Sequence, residues 1–194
     1  MQPDVLTGGF ADPAPQSARA FRAALQAMAM PGTIHEVSGA SAPAPLSAAA
    51  AVLLLTLCDR ETLLHLAPGH DVQGVRDWVA FHIGAPIVPA GEAMFALGTW
   101  EALASHDAYA IGTPEYPDRA ATLIVEVASL DGKGARLTGP GIRDEAFLPV
   151  PDVAAFRANA RRFPLGWDAM LTCGPRLAAI PRSTTVEDIT CMSQ

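Results

Sequence analysis

The sequence predicts a single α/β domain with a mixed sheet and flanking helices, on three observations. Runs rich in β-branched and aliphatic residues alternate with stretches of helical hydrophobic spacing. One run, Ala121-Thr122-Leu123-Ile124-Val125-Glu126-Val127-Ala128, is so continuously apolar that it reads as a central strand covered on both faces. No internal repeat, charge block or linker divides the 194 residues, so residues 1–194 form one unit.

The elements follow in order. Residues 19–30 form a helix behind the Pro-rich lead Asp12-Pro13-Ala14-Pro15, with Ala18, Phe21, Leu25 and Met28 inward and Arg19, Arg22 and Gln26 outward. Pro31-Gly32 stops it. Ser47 caps a helix running from Ala48 toward Asp59, apolar on nearly every side, which must pack within the fold or against a partner. Residues 62–66 make a short strand, and Asp71 caps a second amphipathic helix carrying Val72, Val75, Trp78, Val79 and His82. A strand over 93–98 and a short helix over 100–106 precede the Pro- and Gly-rich loop 112–118. The turn Asp131-Gly132-Lys133-Gly134 joins the central strand to a partner, Ala135-Arg136-Leu137-Thr138, in a hairpin that Gly139-Pro140-Gly141 ends. A helix over 152–162 turns Val153, Phe156 and Ala160 inward, and residues 169–173 and 176–180 supply late strands.

Composition narrows the function classes. Half the residues are hydrophobic and only 17% are charged, which gives ample core material and excludes wholesale disorder. A formal net charge of −7 argues against a grip on nucleic acid or anionic membranes. The longest nearly apolar stretch, 48–58, is about half of the roughly 20 residues a membrane helix needs. Met1-Gln2-Pro3-Asp4 does not read as a secretory signal, and Cys58, Cys173 and Cys191 have no C-x-x-C spacing, so a reducing cytoplasm is expected.

Most catalytic markers are missing. The P-loop pattern fails because Val127 stands where its first glycine belongs, and neither G-x-G-x-x-G nor G-x-S-x-G occurs. His35, His65, His70, His82 and His106 form no H-x-x-x-H pair, and His65, among leucines, reads as a strand histidine satisfied by one hydrogen bond. The cysteines read as small apolar residues rather than nucleophiles. Of thirteen basic residues twelve are Arg, and Lys133, the one lysine, sits between two glycines in a turn where an imine-forming role is not expected. Arg119, Arg143, Arg161, Arg162 and Arg182 lie beside loops or helix ends. Arg119, Arg143 and Arg182 are the candidate anion contacts, with surface ion pairing as the alternative.

Four rigid motifs carry the strongest signal: Gly112-Thr113-Pro114-Glu115-Tyr116-Pro117, Gly139-Pro140-Gly141-Ile142, Phe163-Pro164-Leu165-Gly166-Trp167-Asp168 and Pro181-Arg182-Ser183-Thr184. Loops dense in Pro and aromatic residues suit fixing the fold or docking a partner at low entropic cost. Their order and spacing, with Gly9-Phe10-Ala11-Asp12-Pro13 and Leu53-Leu54-Leu55-Thr56-Leu57-Cys58-Asp59 upstream, resemble the PhnH family of the bacterial carbon-phosphorus lyase system. The resemblance spans nearly the whole chain.

It implies a fold similar to pyridoxal phosphate-dependent transferases that has lost the cofactor machinery, so no cofactor is expected in this subunit. It also implies a homodimer when isolated and a core complex with the PhnG, PhnI and PhnJ subunits, which transfers a phosphonate to the ribose of ATP with release of adenine. No catalytic residue carries over from the family. The expectation is thus an accessory, non-catalytic subunit, with the Leu-rich helix and the Pro-rich loops as candidate contact surface. The alternatives are a stand-alone transferase or an anion-binding module acting on a phosphonate or phosphorylated ligand.

Overall fold

A computed structural model describes residues 7–103 and 106–189. Four helices, α1 (Pro13–Ala29), α2 (Ala48–Leu57), α3 (Gln73–His82) and α4 (Val153–Ala160), accompany nine strands. The strands are β1 (His35–Glu36), β2 (Leu64–Leu66), β3 (Phe95–Thr99), β4 (Thr122–Glu126), β5 (Ala135–Thr138), β6 (Ala146–Leu148), β7 (Asp168–Cys173), β8 (Arg176–Ile180) and β9 (Thr185–Glu187). The main sheet runs β1-β8-β7-β4-β3-β2, and β6-β5-β9 form a second, three-stranded sheet.

The main sheet is mixed, as expected. Strands β2, β3, β4 and β7 are parallel, while β8 returns antiparallel from β7 and β1 is antiparallel to β8. β4 is interior and its residues alternate between two cores: Ile124 packs with α1, α2 and α3, while Leu123 and Val125 pack with Phe156 of α4 and with the small sheet. That two-sided burial is why its sequence is apolar at consecutive positions. The expected cap at Ser47 is present, its side chain accepting from the Ala50 amide at 3.1 Å, and Asp152 caps α4 in the same way, accepting from the Ala155 amide at 3.0 Å.

Several expectations are corrected. α1 begins at Pro13, the Pro-rich lead being its first turn, since proline's missing N–H costs nothing there. Its inward stripe is Ala20, Ala24 and Ala27, whereas Phe21 and Leu25 are more than half exposed. Small side chains let the backbone of α1 lie close to α2 and β8, a geometry that Phe and Leu on that stripe would prevent. Asp71 does not cap α3; Val72 holds the cap position and Asp71 pairs with Arg76 instead. Residues 131–134 hold only a bend at Gly132 rather than the expected hairpin turn, and β4 and β5 lie in different sheets. Residues 100–103 are turn and a 3₁₀ segment covers His106–Ala108, in place of a helix over 100–106. β1, β6 and β9 were not foreseen. α2 is buried from Ala49 to Leu54, which removes it as contact surface.

Candidate functional site

Three of the four rigid motifs converge on Arg182. Its backbone N–H and Nε donate to Asp168 Oδ1 at 2.8 and 3.1 Å, Nη2 donates to Oδ2 at 2.5 Å, and Nη1 donates to the Pro117 carbonyl at 2.6 Å. Both side chains of the pair are largely buried, so this bidentate clamp ties loop 112–117 and the start of β7 to the turn after β8. The Gly166 amide reaches the Ile111 carbonyl at 2.9 Å. Buried Asn159 of α4 brackets Trp167, donating to its carbonyl at 2.8 Å and accepting from its amide at 3.0 Å.

The glycines of these motifs are steric. At Gly112, with φ +80°, a Cβ would lie 2.7 Å from the Pro117 oxygen, and at Gly141 it would lie 1.9 Å from the Ala29 carbonyl oxygen. Ile142 packs against the second core. Tyr116 and Phe163 remain exposed on their loops, as do Thr113, Pro114 and Pro164, while Leu165 is half-buried and Pro140 lies at the surface.

A groove of about 540 Å³ opens where β3 and β4 end. It is lined by residues 99–101, 126–129 and 149–151 and by Gly134, so it lies between the main sheet and the lead into the small one. The carboxyl ends of parallel strands are where open α/β sheets place ligands. At the end of β4, Glu126 is held from the Ile124 side of the sheet: Oε1 accepts the Ser47 N–H at 2.7 Å and Oε2 accepts the Thr172 hydroxyl at 3.0 Å. Each oxygen keeps a second acceptor site. His70, on the loop after β2, is buried with Nδ1 lacking a partner; burial pulls its pKa down while the charge of Glu126 opposes that shift.

Against known proteins, the family described as bacterial phosphonate metabolism protein (PhnH) matches residues 8–187. The chain belongs to the PhnH family. Subunit PhnH of alpha-D-ribose 1-methylphosphonate 5-triphosphate synthase from Rhizobium meliloti (strain 1021) is 37% identical, over 96% of this chain and 98% of the relative. HtxG of Stutzerimonas stutzeri, a proposed C-P lyase subunit protein, is 29% identical over 89% of this chain and 87% of the relative.

In this PhnH-family chain the other sequence candidates sit as follows. Arg182 is engaged within the fold, Arg119 lies over the Tyr116 ring at 4.1 Å, and Arg162 pairs with Asp107. Arg143 and Arg161 are exposed. Arg119 and Arg182 both touch loop 112–117, through the Tyr116 ring and the Pro117 carbonyl; no arginine or lysine lines the groove among the described residues. Lys133 is exposed with its ammonium 5.7 Å from the Phe147 ring centre. His65 Nδ1 meets the Val88 carbonyl at 3.0 Å, the single hydrogen bond expected of it.

Burial pushes the Cys58 thiol up to about 12, the wrong direction for a nucleophile. Cys191 lies outside the described residues. Among those residues no three His, Cys, Asp or Glu side chains gather as metal ligands, and no helix is long and apolar enough to cross a membrane. Glu126 was missed as a residue at the groove. A carboxylate inside an apolar strand was its signal, because it needs partners at a strand end.

Proposed function

We propose that this chain is a subunit of the multi-protein enzyme that transfers a phosphonate to the ribose of ATP, releasing adenine and giving alpha-D-ribose 1-methylphosphonate 5-triphosphate. It contributes shape and contacts rather than a reactive side chain. The near full-length similarity to a named synthase subunit carries the reading. The position of Lys133 supports the non-catalytic part: its side chain is exposed and does not line the groove, so no pocket wall stands ready to hold a carbonyl partner against its amine. The same reading includes an ancestry shared with pyridoxal phosphate-dependent transferases, cytoplasmic residence, a homodimer in isolation and a complex with PhnG, PhnI and PhnJ.

Exposed apolar side chains on ordered elements, Phe21 and Leu25 on α1 with Tyr116 and Phe163 on the motif loops, are the surface offered for those contacts. The experiment is to incubate the pure chain with ATP and methylphosphonate, alone and with the other core subunits and their ATP-binding cassette partner, and to assay free adenine. Adenine formed only with the partners supports the proposal. Turnover by this chain alone overturns it in favour of a stand-alone transferase.

A further inference from the structure

The outer face of α1 carries large side chains that neither core uses. Phe21 and Leu25, one helical turn apart, are both more than half exposed, and Ala14 and Ala18 on the same side are exposed with them. Side by side on an ordered helix, they form a contiguous apolar patch rather than scattered surface residues. Arg19 and Arg22, both exposed and three residues apart, run along one margin of it.

The charge of this face is unbalanced. Helix α1 contains those two arginines and no carboxylate, in a chain whose net charge is −7. Arg76, Arg136, Arg162, Arg176 and Arg182 each hold an ion pair, whereas Arg19 and Arg22 hold none among the described residues. Glu36 lines a small surface pocket with Arg19 but makes no ion pair with it. At helical spacing the two cations also repel each other, a cost that an incoming carboxylate reverses.

Those charges choose the occupant. A second copy laying its own α1 there would bring four arginines together with no carboxylate from either helix between them. An anionic bilayer would attract the two arginines but repel the chain as a whole. A helix with apolar residues one turn apart and Asp or Glu beside them meets both demands, packing on Phe21 and Leu25 while its carboxylates lie along Arg19 and Arg22. We propose that the outer face of α1 docks such an acidic amphipathic segment of a partner subunit. The inference rests on the subunit reading above and names the chemistry of one contact within it.

The test combines the full chain with the other purified core subunits and follows joining by size-exclusion chromatography and sedimentation. Leu25→Asp, and Arg19→Glu together with Arg22→Glu, should each weaken joining by about tenfold or more with circular dichroism unchanged. Arg143→Glu together with Arg161→Glu, the same charge change elsewhere on the surface, should not. A photo-crosslinking amino acid at position 25 should capture a partner peptide with more Asp and Glu than Lys and Arg, and apolar residues at helical spacing. Undiminished joining by the first two variants, equal weakening by the control pair, or capture of a basic segment or of a second copy overturns the proposal. Binding to phosphatidylglycerol vesicles that Leu25→Asp abolishes overturns it in favour of a membrane. A parent chain that joins no subunit ends the subunit reading instead, and the face is then decided with a synthetic acidic amphipathic helical peptide and its lysine-bearing twin. Binding of the acidic peptide alone, lost in Leu25→Asp, keeps the docking chemistry; no binding of it ends that too.

Discussion

Arg182 and Asp168 are fourteen residues apart and joined by three hydrogen bonds, with a fourth from the same guanidinium to Pro117. Arg182→Ala therefore leaves the largely buried Asp168 carboxylate without its counter-ion and frees loop 112–117 at one end. The expected loss is about 3 kcal/mol, the cost of an orphaned charge in a partly buried pair. For a chain of this length it should lower Tm by about 6–12 °C. Arg182→Lys should recover only part, because an ammonium cannot serve both carboxylate oxygens and Pro117 together. Thermal and urea denaturation check this, and a Tm within a degree of the parent would mean the clamp stabilises nothing.

The corrected face of α1 separates two kinds of substitution. Ala24→Leu adds volume to a buried stripe and should cost about 1–3 kcal/mol through overpacking. Phe21→Ser, on the exposed side, should change stability by less than about 0.5 kcal/mol. If urea denaturation ranks the two the other way, the helix is rotated from the position described here.

Glycine substitutions should sort by contact rather than by φ alone. Gly141 and Gly132 both have positive φ, so alanine at either costs about 1–3 kcal/mol in the backbone. At Gly132 nothing lies within 4 Å, and that cost is the whole effect. At Gly141 the new Cβ would strike the Ala29 carbonyl, so Gly141→Ala should be the more destabilising and should disturb the end of α1. Comparing the two by denaturation and amide exchange at residues 27–29 decides it.

The pH dependence of stability has a sign set by His70. Burial lowers its folded-state pKa below the ordinary histidine value near 6.5, which the unfolded chain retains. Above that value both states are neutral there and nothing is lost. As pH falls through it, the unfolded chain takes up the proton first and stability declines, levelling off once pH passes below the folded-state pKa. His106, stacked on Trp100 at 3.7 Å and likewise lowered by burial, adds the same slope. Denaturation between pH 8 and pH 5 should show this decline, and His70→Asn should flatten it; an unchanged slope would place the titrating group elsewhere.

Lys133→Ala should leave adenine release by the assembled enzyme within about twofold of the parent, because no binding or transition-state contact is removed. A large loss would reopen the amine as a reacting group.

Much of the fold was legible because single-strand and single-helix signals are local. The two-sided burial of β4 showed in its unbroken apolar run, and Ser47 marked the start of α2 through its own hydroxyl. The family motifs were legible too, though not their purpose. That Asp168, Pro117 and Arg182 form one clamp depends on positions brought together only after β7 and β8 pair.

By its own patterning the sequence determined the class of fold, most element positions, the family and the absence of a second lysine. Tertiary structure decided which side of α1 faces inward, because a stripe of alanines and a stripe of phenylalanine and leucine carry the same period and only the space left by α2 and β8 chooses between them. It also separated β4 from β5, since sheet pairing is a long-range choice that a turn does not dictate. The groove followed from that separation, created where the ends of two sheets stand apart and a carboxylate from one strand borrows its hydrogen bonds from a helix start and a neighbouring strand.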